Sequence, residues 1–107
     1  MLAIRSLGDL SEADVFTEVA LLFLADASKH LSALEAAIAA GCPELVEAIA
    51  HRLRGGALEM GALRMAPLCL DIEHAARARA LDNVAPQVDQ LAAEFAAARV
   101  ALEQAIG

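Results

Sequence analysis

His51 is the residue whose type and position most clearly indicate chemistry. In a helix that turns by about 100° per residue, His51 faces almost directly away from an apolar arc on the same segment. That arc consists of Leu45, Val46, Ile49, Leu53, Gly56 and Met60. A neutral imidazole has a ring nitrogen with a free electron pair, which can attack an activated phosphoryl group. The pattern therefore predicts a nucleophilic histidine exposed to solvent and to a partner protein.

The residues that follow His51 indicate what approaches it. Arg54, three positions on, can reach the same space and screen an incoming negative charge. Gly55 lies one turn on along the same ridge, where a Cβ would crowd anything that approaches the ring. Glycine inside a helix costs about 1 kcal/mol relative to alanine, so we expect Gly55 to provide steric access. The plainer alternative, a helix that ends at Gly55, conflicts with an apolar pattern that continues through Met60 to Gly61.

The sequence contains no complete catalytic constellation around His51. A di-metal bundle site needs a Glu-x-x-His unit on each of two helices, and only Asp71 to His74 approximates one. We therefore predict no metal site on this chain. A Gly-rich phosphate loop is also missing, as is a serine or cysteine with a recognisable base partner. His30 and His74 lie among polar neighbours, and we predict that they are ordinary surface histidines.

Composition restricts the class of protein. The 107 residues are 59% hydrophobic and contain neither Trp nor Tyr, so the core must consist mainly of Leu, Ala, Ile and Val. We expect one domain over residues 1–107. The formal charge of -7 argues against nucleic acid or an anionic membrane as the partner, because both require clustered Lys and Arg.

Three features of the sequence indicate where the protein is located: the length of its apolar runs, its N-terminal pattern and the spacing of its cysteines. The longest apolar run, residues 19–25, is too short to cross a bilayer, and the N-terminus lacks the pattern of a signal peptide. Cys42 and Cys69 have neither metal-ligand nor framework spacing, which is typical of reduced thiols in a cytosol. We predict a cytoplasmic protein without membrane insertion.

Four amphipathic helices must position these residues. A capping box at Ser11 predicts a first helix from Ser11 to Ala40, with a core stripe of Phe16, Ala20, Phe23, Ala27, Leu31, Leu34 and Ile38. Gly41-Cys42-Pro43 separates it from the helix that carries His51, which extends to about Met60.

The second half of the chain predicts two further helices. The third carries Met65, Leu68, Cys69, Ile72 and Ala76, with Pro67 in its first turn. The fourth starts at Asn83 as its cap and carries Val84, Val88, Leu91, Phe95, Ala98, Leu102 and Ile106. Short connections then predict an all-α, up-and-down antiparallel four-helix bundle, to which the first ten residues add a short helix or a cap.

One motif extends from His51 into the third predicted helix and consists of His51-Arg52-Leu53-Arg54-Gly55-Gly56, Leu58, Gly61-Ala62-Leu63, Leu68-Cys69 and Ile72-Glu73. It resembles the histidine phosphotransfer (HPt) domains of bacterial phosphorelays. The usual family pattern is His-x-Leu-Lys-Gly-Ser/Ala, then a short spacer, Leu-Gly and a Leu-Cys helix. Arg54 replaces the usual Lys, which keeps the charge but changes its geometry. Gly56 replaces the usual Ser or Ala.

The resemblance implies a cytoplasmic phosphoryl carrier without an autonomous catalytic site. His51 would accept a phosphoryl group from the aspartyl phosphate of one receiver domain and pass it to another. These receivers would belong to a response regulator or a hybrid histidine kinase, and would supply the acidic residues and Mg²⁺. We expect this chain to be a monomer with no cofactor of its own. The predicted docking surface is the face of His51, with Ala48, Leu58, Gly55 and Glu47, and Leu22 on the first helix.

Two other interpretations remain open from the sequence. The alanine-rich surfaces also fit a helical interaction or oligomerisation module in which His51 is incidental. An HPt-like adaptor that binds a partner protein through the same face without phosphotransfer would carry the same motif.

Overall fold

A computed structural model describes residues 11–106 of the chain as four helices joined by short connections. These are α1 (Glu12–Ala39), α2 (Pro43–Met60), α3 (Met65–Arg77) and α4 (Ala85–Ile106), with a 3₁₀ turn at Leu81–Asn83 before α4. α2 packs between α1 and α3, and α4 packs against α3 and α1. The predicted all-α four-helix bundle is confirmed. The extra helix predicted for the first ten residues lies outside the described part of the chain.

Local chemistry at the helix ends explains why α1 and α2 have these limits. The Asp14 backbone N–H donates to Ser11 Oγ (3.2 Å), while the Asp14 carboxylate accepts from the Ser11 backbone N–H (3.3 Å), which completes the predicted capping box. Gly41 and Gly61 adopt left-handed φ values of 67° and 73° after α1 and α2. α2 therefore continues well past Gly55, and the alternative of a helix ending there is wrong.

The prediction that Asn83 caps the fourth helix is also wrong. Asn83 belongs to the 3₁₀ turn, and the Val88 N–H donates to the carbonyl of Val84 (2.9 Å) at the start of α4. Val84 is buried in the core. α4 begins with Ala85 and Pro86, and proline is favoured in the first turn of a helix because it lacks an N–H.

The core is built from aliphatic side chains and one aromatic pair, Phe23 of α1 and Phe95 of α4. Their ring centroids lie 6.2 Å apart at an interplanar angle of 69°. Phe16 was predicted in the same stripe, but it is exposed. It lies beside Met60, the last residue of α2. Because α2 ends there, no helix within residues 11–106 covers Phe16 fully.

The buried face of α2 determines where His51 points. The buried residues are Val46, Ile49, Ala50, Leu53 and Ala57. Leu45, predicted in the apolar arc, is exposed, so the centre of the buried arc lies roughly 40° from the predicted one. Ala50 and Ala57 are buried at the side of this arc away from Leu45. His51 still lies on the opposite side of the helix from the core.

Candidate functional site

His51 lies on the solvent-facing side of α2, with 69% of its side chain exposed. The buried face of α2 fixes the helix, so the imidazole projects into solvent from a rigid support. A Cβ placed on Gly55, one turn further along, would meet no atom within 4 Å. The space beside the imidazole is therefore open.

Glu73 is the buried group that organises the site. It lies on α3 with only 2% of its surface exposed, and it is the one charged residue buried within residues 11–106. Its carboxylate accepts a hydrogen bond from the ring of His51, with 3.1 Å between Nδ1 and Oε1. Arg54 donates from Nε to Oε2 (2.5 Å) and from Nη2 to Oε1 (3.2 Å). Two residues of α2 thus share one carboxylate of α3.

The protonation of Glu73 follows from these contacts. Burial raises the pKa of the Glu73 carboxyl, but hydrogen bonds from Arg54 and His51 outweigh that effect, and the pKa lies below its ordinary value. The same hydrogen bonding raises the pKa of the Arg54 guanidinium. Glu73 is therefore a carboxylate at neutral pH, and Arg54 is its permanent cationic partner.

A carboxylate can only accept hydrogen bonds, and this fixes the tautomer of His51. We assign the proton to Nδ1, which then donates to Glu73, so that Nε2 of the neutral ring has the free electron pair. Arg54 Nη2 lies 3.2 Å from Nδ1. With this assignment, Arg54 Nη2 and His51 Nδ1 both carry protons, so the contact between them places positive charge beside the ring and does not act as a hydrogen bond. The arrangement presents Nε2 to solvent as a nucleophile.

Cys69 lies one turn before Glu73 on α3 and is fully buried. Burial, together with the charge of Glu73, raises the pKa of the Cys69 thiol to about 12. The thiol is therefore neutral at physiological pH and packs as a small apolar side chain behind the carboxylate. Both described cysteines are free thiols.

The other residues predicted for docking lie around His51 without forming one cavity. Ala48, Gly55 and Leu58 are exposed on α2, on the same side as His51. Glu47 lies on the α3 side, where it is partly buried by its ion pair with Arg77. These positions form a largely uncharged surface with an acidic residue at its margin.

Leu22 is exposed on α1 and lines a groove between α1 and α2. The α2 side of this groove includes Arg52 and Gly56, and Leu58 is not part of it. A Cβ on Gly56 would lie 3.4 Å from the ring of Phe23, so this glycine packs against α1. The face of His51 is thus flanked toward α1 by a groove of apolar side chains that also includes Asp26, Arg52 and Glu59, and toward α3 by charged residues.

The remaining histidines have different surroundings. His74 is exposed on α3, and His30 lines the groove between α1 and α2. No three His, Cys, Asp or Glu side chains among residues 11–106 come together in a way that could hold a metal ion. None of the helices in the same range is long and apolar enough to span a membrane.

Glu73 and its contacts are the part of the site that sequence analysis missed. Glu73 was recognised only as part of a family motif, and no partner was predicted for His51 or Arg54. A signal was present, since Met65, Cys69, Ile72, Glu73 and Ala76 share the buried face of α3. An acidic residue within an apolar helical stripe requires a buried cationic or hydrogen-bonding partner.

A bundle that holds an exposed histidine against a buried carboxylate has the features of a phosphoryl carrier. A family model described as Hpt domain matches residues 18–101. Among solved structures, the chain is similar to histidine-containing phosphotransfer protein B (HptB) from Pseudomonas aeruginosa PAO1. The two share 30% sequence identity over 84% of this chain and 78% of that one, with a TM-score of 0.82. Comparison with curated proteins gives no match.

The chain belongs to the Hpt domain family. Members of this family are histidine phosphotransfer domains, which act with receiver domains in phosphorelays. Membership favours phosphotransfer over the adaptor or oligomerisation interpretations that the sequence left open.

The buried carboxylate predicts a pH-dependent contribution to stability. Glu73→Gln keeps the shape but removes the charge, and should lower the free energy of unfolding at pH 7 by about 1–3 kcal/mol. The pKa of Glu73 lies below its ordinary value of 4.5. Stabilisation by a carboxylate of lowered pKa is complete above the unfolded-state value and is lost as the pH falls through the folded-state value. The difference between parent and variant in urea denaturation should therefore shrink in acid.

Glu47→Gln is the matched control, because it makes the same chemical change in a more exposed ion pair with Arg77. We expect it to cost no more than about 1 kcal/mol. Equal losses for the two variants at pH 7 would contradict the structural role of Glu73. So would a loss for Glu73→Gln that is unchanged at about pH 3.5, where carboxylates protonate.

Proposed function

We propose that His51 carries the phosphoryl group in a phosphorelay, accepting it on Nε2 from a receiver domain and passing it to another. The observation that carries this proposal is the hydrogen bond from Nδ1 to the buried carboxylate of Glu73. It leaves Nε2 unprotonated on an exposed ring. Space for an incoming phosphoryl group is available beside Gly55.

The transfer step uses the free electron pair of Nε2. That pair attacks phosphorus, a P–N bond forms, and the P–O bond of the aspartyl phosphate breaks with its electrons on the departing carboxylate. The ring keeps the Nδ1 proton and gains positive charge during the attack. Glu73 faces this charge across 3.1 Å and stabilises it. The reverse step delivers the phosphoryl group to a second receiver.

Arg54 assists through its position. Its guanidinium is held by two hydrogen bonds to Glu73 and lies 3.2 Å from Nδ1 of His51. We propose that it screens the negative charge of the phosphoryl group, as predicted, from a place that is fixed by the buried carboxylate. The Lys usual in the family could not form the same forked pair, since Lys is a point donor.

The remaining requirements would come from the receiver domain. Phosphoryl transfer depends on positioning and on neutralising charge on the transferring group, for which Mg²⁺ held by acidic oxygens is suited. We propose that the receiver supplies Mg²⁺ and docks on Ala48, Gly55 and Leu58, with Leu22 in the adjoining groove. We also propose that this chain acts as a cytoplasmic monomer.

The first test identifies the phosphorylated residue. Incubation with a receiver domain labelled on its aspartate should give acid-labile, alkali-stable label on this chain. His51→Asn should abolish the label while the helical circular dichroism is kept, because the amide can still donate to Glu73. His30→Gln and His74→Gln should label like the parent. Label that persists in His51→Asn, or is lost with His30 or His74, would contradict the assignment.

A second test concerns the space beside His51. Gly55→Ala adds a Cβ that meets no atom of this chain, so it should stabilise the helix by up to about 1 kcal/mol, and it should slow transfer less than a larger side chain does. Gly55→Leu should slow transfer about 10- to 100-fold, because the larger side chain displaces the approaching receiver. The readout is the initial rate of label transfer.

Ala101→Leu makes a comparable enlargement at an exposed position of α4 and is the control for nonspecific effects. Its rate should equal that of the parent. Parental transfer by a folded Gly55→Leu variant would show that no partner approaches at this position.

A further inference from the structure

Two more ion pairs cross between α2 and the end of α3, on the side of His51 away from Arg54. Arg77 donates from Nε and Nη2 to Glu47 Oε2, at 2.8 and 2.6 Å. Arg79 donates from Nη2 to Glu44 Oε2 at 2.8 Å. In both pairs the acidic residue lies on α2, and the arginine lies at the end of α3 or two residues after it. Arg77 and Glu47 therefore form the ion pair next to the nucleophile.

Arg77 lies close enough to take part in the site. Glu47 is one turn before His51 on α2, and Arg77 is one turn after Glu73 on α3. Side chains of all four residues line the same recess between the two helices. Rotation about the side-chain bonds of Arg77 would move its guanidinium from Glu47 toward His51, one turn further along α2.

Phosphorylation would change the charge balance in this recess. A phosphoryl group on Nε2 adds a charge of about -1.5 to -2 close to the Glu47 carboxylate. Arg54 screens this charge from its fixed place on the buried Glu73 and does not leave that pair to bind the phosphoryl oxygens. Arg77 is 62% exposed, and within residues 11–106 its ion pair is with the partly exposed carboxylate of Glu47, which is a weak competitor for a guanidinium. A phosphoryl dianion offers more oxygens and more charge to the planar fork of Arg77.

We propose that Arg77 exchanges partners when His51 is phosphorylated, leaving Glu47 and pairing with the phosphoryl oxygens. This positioning role rests on the proposed function of His51 as phosphoryl carrier. The exchange favours the phosphorylated chain over the unphosphorylated one, because the pairing exists in only one of the two states. Glu47 then acts as a competitor that weakens retention of the phosphoryl group.

The test is the equilibrium of transfer between this chain and a labelled receiver domain, measured as the ratio of the two phosphorylated species at low concentration. Arg77→Ala should shift this equilibrium about two- to tenfold toward the receiver, and Glu47→Gln should shift it the other way. A residue that only assists docking changes the rate and leaves the equilibrium unchanged. Arg77→Lys should retain part of the parental value.

Arg79→Ala and Glu44→Gln are the controls, since they break the equivalent ion pair further from His51 and should leave the equilibrium unchanged. Arg77→Ala should also shift the equilibrium toward the receiver when it is combined with Glu47→Gln. No effect there would show that Arg77 merely screens Glu47 and would overturn the exchange, as would equal effects of Arg77→Ala and Arg79→Ala. Absence of label on His51 in the parent would refute the proposed function itself, and the exchange with it.

Discussion

The buried carboxylate of Glu73 is the interaction on which the site depends. A carboxylate that is 2% exposed has lost most of its hydration, and such a charge is tolerated only with close partners. Arg54 and His51 provide them, and both come from α2. The electrostatic requirement of one residue on α3 thus fixes the orientation of two residues on its neighbour. Removal of either partner would leave the carboxylate less compensated.

The same interaction separates the structural and chemical roles of the histidine ring. Nδ1 is directed into the bundle and donates to Glu73, while most of the ring remains in solvent. The nucleophilic nitrogen is therefore selected by a contact on the opposite side of the ring. α2 is packed on both α1 and α3, so this selection is already made in the free chain. The chain presents a prepared nucleophile, and the proposed receiver supplies the activated phosphoryl group.

Local rules were sufficient for most of the fold. Capping by Ser11, the left-handed glycines and the helical spacing of apolar residues all act within a few residues, so the helices and the exposed face of His51 could be predicted. The predictions of buried residues were wrong at positions where contacts between helices determine burial. Leu45 and Phe16 are exposed because neighbouring helices do not cover them, which their own segments do not encode.

Only part of the candidate site could be predicted, because the rest depends on contacts between helices. The exposure of His51 follows from the periodicity of one helix, but its contact with Glu73 joins residues on two helices. The sequence signal was the position of Glu73 in the buried stripe of α3, which indicates that some partner must exist. Which partner it is depends on how α2 rotates against α3. That rotation depends on the packing of the whole core, to which the buried face of α2 contributes.

The most direct test is the protonation of the two ring nitrogens of His51, observed by multiple-bond ¹H–¹⁵N NMR under mildly alkaline conditions. The geometry predicts a protonated Nδ1 and an unprotonated Nε2. After phosphorylation, coupling to ³¹P should appear at Nε2 while Nδ1 keeps its proton. A proton on Nε2 of the unmodified ring, or phosphorus attached to Nδ1, would contradict the proposal that Glu73 selects the nucleophilic nitrogen.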